Sequence, residues 1–393
     1  MLNLAKILGL GMDGGAAKGG PNKTVGLVAN RFLAPTTTGS VPLNYTSRRQ
    51  HFAHPDGAIS NFRTVDCTFV FSSITADQAA TRTIKRYIEY PAGVFTQVTW
   101  GGNPTVAMST SVAISDPINL TIPAGAEFWE RTVNVGGAVS LFPLQQLPAS
   151  SQTLGSPDGN SASDQGNSGT IAATSTQTTF GSTAMIGDIA KADAKSYVIF
   201  GDSLAWGEGD VSSVSAKGAS GFLARALEAR GYPYLKIAKQ GQQAADIVAS
   251  PTRIQALLDA IQYSDVIVEH GVNDLRLGRT QAQLLADHQT IYGYCTGKRI
   301  TQTTITPRSS STDGWATTAN QTPKTDGTMS SITSVNAAIR AKPANVSVVL
   351  DAADAAMSAR DSNIWTAPPA ATLDGTHPTT VKATAMGTAL SFA

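Results

Sequence analysis

Two different rhythms of apolar and polar positions follow one another along the chain. From about residue 47 to 190 the apolar runs are short and turn-bounded: "TVDCTFVFSS" (64–73), "RTIKRYIEY" (82–90), "VFTQVTW" (94–100), "INLTIPAG" (118–125), "FWERTVNV" (128–135) and "AVSLFPL" (138–144). Thr83, Lys85 and Tyr87 alternate with Ile84, Arg86 and Ile88, the two-residue period of a strand. Turn sequences such as "YPAG", "GGNP" and "IPAG" separate the runs, and "SPDGNSASDQGNSGT" (156–170) reads as a polar loop near the end of this part. This spacing predicts an antiparallel β-sandwich or jelly roll.

At Lys195 the rhythm changes. Apolar strands "SYVIF" (196–200), "YLKIA" (234–238), "DVIVEHG" (265–271), "RITQTTITP" (299–307) and "NVSVVLDA" (345–352) alternate with helical stretches at 218–230, 243–262, 280–296, 329–341 and 379–391. Continuous apolar strands between helices predict an α/β domain, a parallel sheet with helices on both faces. Ligands bind such sheets at the carboxyl ends of the strands. Residues 1–46 show few periodic elements and read as an arm. The expected division is therefore 1–46 arm, 47–194 β-domain and 195–393 α/β domain.

Composition narrows the class. Charged residues are 15% of the 393, below the roughly 25% usual in soluble domains, and Gly, Ser, Thr and Ala fill the gap, as in extracellular and virion proteins. A formal net charge of +1 and scattered Lys and Arg leave no footprint for nucleic acid. No stretch of 18 apolar residues occurs, so no transmembrane helix is expected. The apolar run at the start is broken by Lys6, Gly9 and Gly11, too short for a secretory signal, which favours release by lysis. The glycine-rich arm is expected to dock onto another subunit or a larger assembly. Cys67 and Cys295 fall in different domains and read as small buried hydrophobes, not a disulfide or a metal site.

Four polar stretches fall at one edge of the α/β domain. "GDS" (201–203) follows the first strand, the glycine of "KQGQQ" (239–243) the second, "GVND" (271–274) the third, and "DGTHP" (374–378) precedes the last helix. A nucleophilic serine needs a base in hydrogen-bond reach and a group to orient that base. Asp374 and His377 on one tight turn can supply both. Backbone N–H groups of Ser203 and Gly241 and the Asn273 amide can hold a developing oxyanion. Each residue also has a plainer use: Ser203 as a turn or N-cap serine, Asn273 and Gly241 in turns, His377 as a capping residue. Asp202 reads as a structural neighbour bonded to nearby backbone, and His270 as buried structure.

In this order, the four stretches resemble the sequence blocks of the SGNH (GDSL-type) hydrolase family. The resemblance covers 195–393, and the Gly241 block is its thinnest part. It implies a parallel-sheet, flavodoxin-like three-layer domain and an esterase working through an acyl-enzyme without metal or organic cofactor. Carried over residue by residue, Ser203 is nucleophile and oxyanion donor, His377 base, Asp374 its orienting acid, and Gly241 and Asn273 further oxyanion donors. "IEYPAGVFTQVTW" and "IPAGAEFWERT" resemble a β-sandwich that precedes such domains in phage and bacterial proteins. The expectation is an extracellular or virion-associated O-acetyl esterase acting on a bacterial surface polysaccharide, a homo-oligomer or part of a phage assembly through its arm. Alternatives of other classes are a non-catalytic glycan-binding or structural virion protein, and a lipase or thioesterase. Trp206, Trp315 and Trp365 stand as candidate sugar platforms, and the loop 307–328 as a candidate lid. "HFAH" (51–54) lacks a third ligand pattern and carries no metal expectation.

Overall fold

The computed structural model describes residues 22–71, 82–108, 112–137, 139–146, 158–173, 178–210, 215, 217–390 and 392. The second half is built on a wholly parallel sheet. Five of its strands run in the order Tyr234–Ala238, Tyr197–Gly201, Asp265–Val268, Arg299–Thr303, Val346–Leu350. In chain order that is 2-1-3-4-5, the flavodoxin-like doubly wound arrangement, with its switch point between Tyr197–Gly201 and Asp265–Val268. Every residue of those two strands and of Tyr234–Ala238 is buried, as expected where helices cover both faces.

The helices match the apolar periodicity with local differences. The stretch 243–262 is two helices, Ala244–Val248 and Pro251–Ala260, because Pro251 cannot continue the first and instead starts the second. The stretch 329–341 opens with a 3₁₀ turn, Met329–Ser331, before Ile332–Arg340. The short helices Ser203–Trp206, Val272–Arg276 and Ala352–Ala356 are too brief to show a period and went unread in the sequence.

Among the described residues, the sheets formed within the first half are antiparallel. A four-stranded sheet contains Thr24–Leu27, Ala184–Ile189, Ile59–Cys67 and Val112–Ile114, and a six-stranded sheet centres on Thr46–Phe52, Glu127–Asn134 and Arg82–Glu89. The polar stretch 156–170 contributes a short strand, Gly159–Ser161, to the larger sheet. The run 118–125 makes only isolated bridges, Ile118 to Phe62 and Ile122 to Ile59.

An arm over 1–46 does not describe residues 24–46. Thr24–Leu27 pairs with Ala184–Ile189, and Thr37–Pro42 with Val139–Gln146. Phe32–Leu33 adds a sixth, parallel strand to the α/β sheet beside Tyr234–Ala238. These strands are too short to show alternation, so only pairing reveals them. Residues 1–21, and with them the docking expectation, lie outside the described residues. The added strand covers an edge that would otherwise offer unpaired N–H and C=O groups. One apolar core, from Phe62 and Phe128 to Val198 and Leu235, runs through both halves.

The two antiparallel sheets are also tied by charge. Arg86, alternating with Thr83 and Lys85, points inward with Ile84 and Ile88. Its guanidinium donates to both carboxylate oxygens of Asp66 on the other sheet, at 2.6 and 2.8 Å, and lies 2.7 Å from Glu130. Glu130 accepts from the Ser182 N–H at 2.7 Å and its hydroxyl at 3.0 Å. His51 and His54 of "HFAH" are used in the same structural way: the His51 ring is 3.0 Å from the Asn30 carbonyl, and the His54 ring 3.1 Å from that of Lys195. Removing one partner of a buried pair strands the others' charge at a cost of about 3–5 kcal/mol. Arg86→Ala is expected to lower unfolding free energy by about that amount, read in chemical denaturation. A change within about 0.5 kcal/mol would show the network to be solvated.

Candidate active site

The serine stands where the first parallel strand turns into a one-turn helix. Asp202 caps that helix, its carboxylate accepting the Leu204 N–H at 2.9 Å, and Ser203 is the first helical residue. A first-turn N–H has no partner within its own helix, so the Ser203 amide suits an incoming oxyanion. The opposite end of the helix is closed by Lys236, which donates to the carbonyls of Trp206 at 3.1 Å and Ser220 at 2.6 Å. Burial pulls this ammonium down to about 7.

His377 reaches Ser203 from the other end of the domain. Its Nε2 is 2.8 Å from Ser203 Oγ, and its Nδ1 is 2.6 Å from Asp374 Oδ2. The other Asp374 oxygen accepts the N–H groups of Thr376 and His377, each at 2.8 Å, so one carboxylate fixes both the ring and the turn that carries it. Burial opposes ionisation of Asp374, but the hydrogen bonds from His377 outweigh it and hold the carboxyl below its usual range. Burial likewise opposes protonation of His377, and the hydrogen bond and charge of Asp374 overcome it, raising the imidazole above its ordinary value. This gives serine, imidazole and carboxylate in one hydrogen-bonded line.

The turn bearing Asp374 is itself clamped. The 307–328 stretch forms a hairpin, Ser309–Ser311 against Gln321–Pro323, and the Ser309 N–H donates to the Gly375 carbonyl at 2.9 Å. Trp365 Nε1 donates to that same carbonyl at 3.0 Å, while Gln321 bridges Trp365 and Ser309. Gly375 has φ +81°, and a Cβ there would lie 1.9 Å from the Ser309 carbonyl oxygen, so the clamp requires glycine. The hairpin is therefore a brace for the acid-base turn where the sequence suggested a lid. Trp206 and Trp365 are buried at 6% and 0% exposure and cannot stack on a sugar; only Trp315 is partly exposed.

Asn273 lies on the third strand's turn, in Val272–Arg276, and its amide donates to the Gln242 carbonyl at 3.4 Å. It also sits beside the Asp202 carboxyl, linking the Gly241 turn to the serine turn. Gly241 is exposed, with φ +75° and open space where a Cβ would be, and it is joined to this group through Gln242. His270 is buried, its imidazole pushed down to about 3, as the sequence suggested for a structural residue. Cys67 and Cys295 are both buried and free, one in each half. Sequence reasoning missed the buried acids behind Ser203, Glu269 and Asp274. Glu269 gave a signal, as a carboxylate within the otherwise apolar strand "DVIVEH".

No family model matches the sequence, and no curated protein does. Solved structures are similar at low identity. A GDSL-like lipase from Bacteroides thetaiotaomicron is 14% identical over 50% of this chain and 85% of its own, with TM-score 0.35. A carbohydrate acetylesterase family member from Sinorhizobium meliloti is 15% identical over 50% and 94%, with TM-score 0.34. A Corynascus thermopiles carbohydrate esterase family 2 enzyme with a carbohydrate binding domain is 15% identical over 93% and 97%, with TM-score 0.33. What fixes the α/β fold of this chain is its own strand order.

Because Asp374 raises His377, the neutral imidazole needed by a base appears only above the ordinary histidine value of about 6.5. The acid limb of any Ser203-dependent rate is expected above that pH. Asp374→Asn should move the limb to lower pH and reduce turnover about 10⁴-fold. An unmoved limb would detach Asp374 from the base. Gln321→Ala, which loosens the brace without touching the reacting atoms, should lower kcat by about 10²-fold and leave KM nearly unchanged.

Proposed function

We propose that the protein is a serine esterase that removes small acyl groups from carbohydrate. The observation that carries this reading is the unbroken line Ser203 Oγ, His377 Nε2, His377 Nδ1, Asp374 Oδ2, at 2.8 and 2.6 Å. His377 takes the hydroxyl proton as Ser203 Oγ bonds the ester carbonyl carbon. The Ser203 and Gly241 N–H groups and the Asn273 amide receive the oxyanion. Collapse breaks the bond to the alcohol oxygen, which leaves with the proton from His377. Water then gives a proton to His377 as its oxygen bonds the acyl carbon; collapse breaks the bond to Ser203 Oγ, which takes that proton back, and the free acid leaves.

The Asp374 side chain is 53% exposed, that of His377 18% and neighbouring Leu373 77%, so the acid-base turn lies at the surface above Ser203, which is itself 3% exposed. An ester on a polysaccharide reaches such a site directly. The antiparallel half, rich in Thr and Ser, is assigned to glycan binding. The composition favours an extracellular or virion-borne protein that joins a larger assembly through its glycine-rich N-terminal arm.

A fluorophosphonate probe should label wild type on Ser203 and leave Ser203→Ala unlabelled. Among p-nitrophenyl esters, acetate should be preferred over long chains, and acetate should be released from an O-acetylated bacterial polysaccharide. Absence of a Ser203 adduct would leave a glycan-binding or structural protein, and preference for long chains would make it a lipase or thioesterase. Asn273→Ala should cost about 10²–10³ in kcat.

A further inference from the structure

Behind the nucleophile, the serine turn rests on a second carboxyl group that the reaction itself does not use. Glu269, at the end of the third strand and 4% exposed, accepts the Asp202 N–H at 3.1 Å and is also hydrogen-bonded by the Ala205 N–H. Both amides belong to the turn and helix that carry Ser203. A Cβ on Gly201 would lie 2.7 Å from Glu269 Oε2, which shows how closely the carboxyl is packed under the peptide before Asp202.

The two acids face each other. The Asp202 side chain is fully buried, its Oδ1 is occupied by the Leu204 N–H, and it lies within hydrogen-bond reach of the Glu269 carboxyl. Yet Asp202 Oδ2 accepts no hydrogen bond of full geometry among the described residues, the Asn273 amide being the one neutral donor nearby. Two ionised carboxylates offer only acceptors to each other, and a buried acceptor without a donor costs about 1–3 kcal/mol or more. One proton between them satisfies Asp202 Oδ2 and removes the repulsion of two buried like charges.

We propose that Glu269 and Asp202 share a single proton, and that this neutral–anionic pair is a positioning element holding the turn that carries Ser203. The inference rests on the esterase reading for its effect on rate, but not for the existence of the proton. Its environment agrees. Burial pushes Asp202 up to about 6, and burial with the neighbouring Asp202 charge raises Glu269 well above the carboxylate range. Asp274, from Val272–Arg276, is pushed up to about 7 by burial and adds a third acid, its Oδ2 held by the Ala244 N–H at 3.2 Å. From the acid-base turn, only His377 brings a cationic form toward Asp202, and Glu208 also faces that imidazole. His270, next to Glu269 in the strand, couples to His288, which couples to Asp287; burial keeps both rings neutral.

As pH rises the shared proton leaves to solvent, two adjacent carboxylates remain, and Asp202 is driven from its cap. Reaction at Ser203 is therefore expected to decline on the alkaline side. Because the raised value belongs to the folded state, the stability it brings is present at low pH and is lost as pH rises through it.

Glu269→Gln supplies a permanent N–H donor to Asp202 Oδ2, and Glu269→Ala removes the contact. Infrared difference spectra at neutral pH should show the carbonyl stretch of a neutral carboxylic acid in wild type minus E269Q. Fluorophosphonate labelling of Ser203 should run within about threefold of wild type in E269Q at neutral pH, with its alkaline decline moved upward. E269A should label about 10²-fold more slowly. Absence of the acid band, an unchanged alkaline limb in E269Q, or E269Q as slow as E269A would overturn the proposal. If Ser203 took no label at any pH, the esterase reading would fail, while the infrared band would still decide the shared proton.

Discussion

The hydrogen bond from Ser203 to His377 joins residues 174 apart in sequence, and the rest of the molecule holds its two ends. A contact of 2.8 Å tolerates little slack, because a misplacement of about 1 Å can cost 10²-fold in rate. At one end, a fully buried strand delivers Ser203 to the switch point of the sheet, with Asp202, Glu269 and Lys236 satisfying the turn and helix around it. At the other, Asp374 fixes His377, and the hairpin with Trp365 fixes Gly375. Each end is placed by polar contacts within a well-packed shell, which is how a site becomes preorganised.

The antiparallel half is joined to this scaffold by more than a linker. Phe32–Leu33 is a strand of the parallel sheet, and Arg31, just before it, is paired with Asp158 at 3.0 Å and donates to the Gln50 carbonyl at 2.7 Å. Tyr234–Ala238 thus lies between the strand that carries Ser203 and a strand from the other half. Buried charges such as Arg86 with Asp66 and Glu130 lend that half directional contacts between its sheets, which apolar packing alone does not provide.

Much of the α/β half was legible because its elements are long and its strands buried on both faces. "SYVIF" and "DVIVEHG" could be placed from apolar continuity, and the polar residues after them fell on the ligand-binding edge by topology alone. Ser203, Asp374 and His377 were readable as a set because nucleophile, base and acid require each other. Gly241 was less so, since the contribution proposed for it is a backbone amide and its sequence surroundings say little. Glu269 was hidden for the opposite reason: its role depends on which buried groups face it, and that is decided only when strands pair. Trp206 and Trp365 misled as sugar platforms because a loop position in sequence does not disclose burial. The strands of 24–46 escaped notice because runs of two to six residues take their identity from partners far along the chain.

The central claim is that Ser203 forms a covalent acyl intermediate with His377 as its base. Rapid mixing with p-nitrophenyl acetate, followed by acid quench and peptide mass analysis, tests it most directly. The account expects a burst of p-nitrophenolate approaching one per chain and an acetyl group on the peptide containing Ser203. Steady hydrolysis with no burst and no acetylated Ser203, persisting in Ser203→Ala, would contradict it.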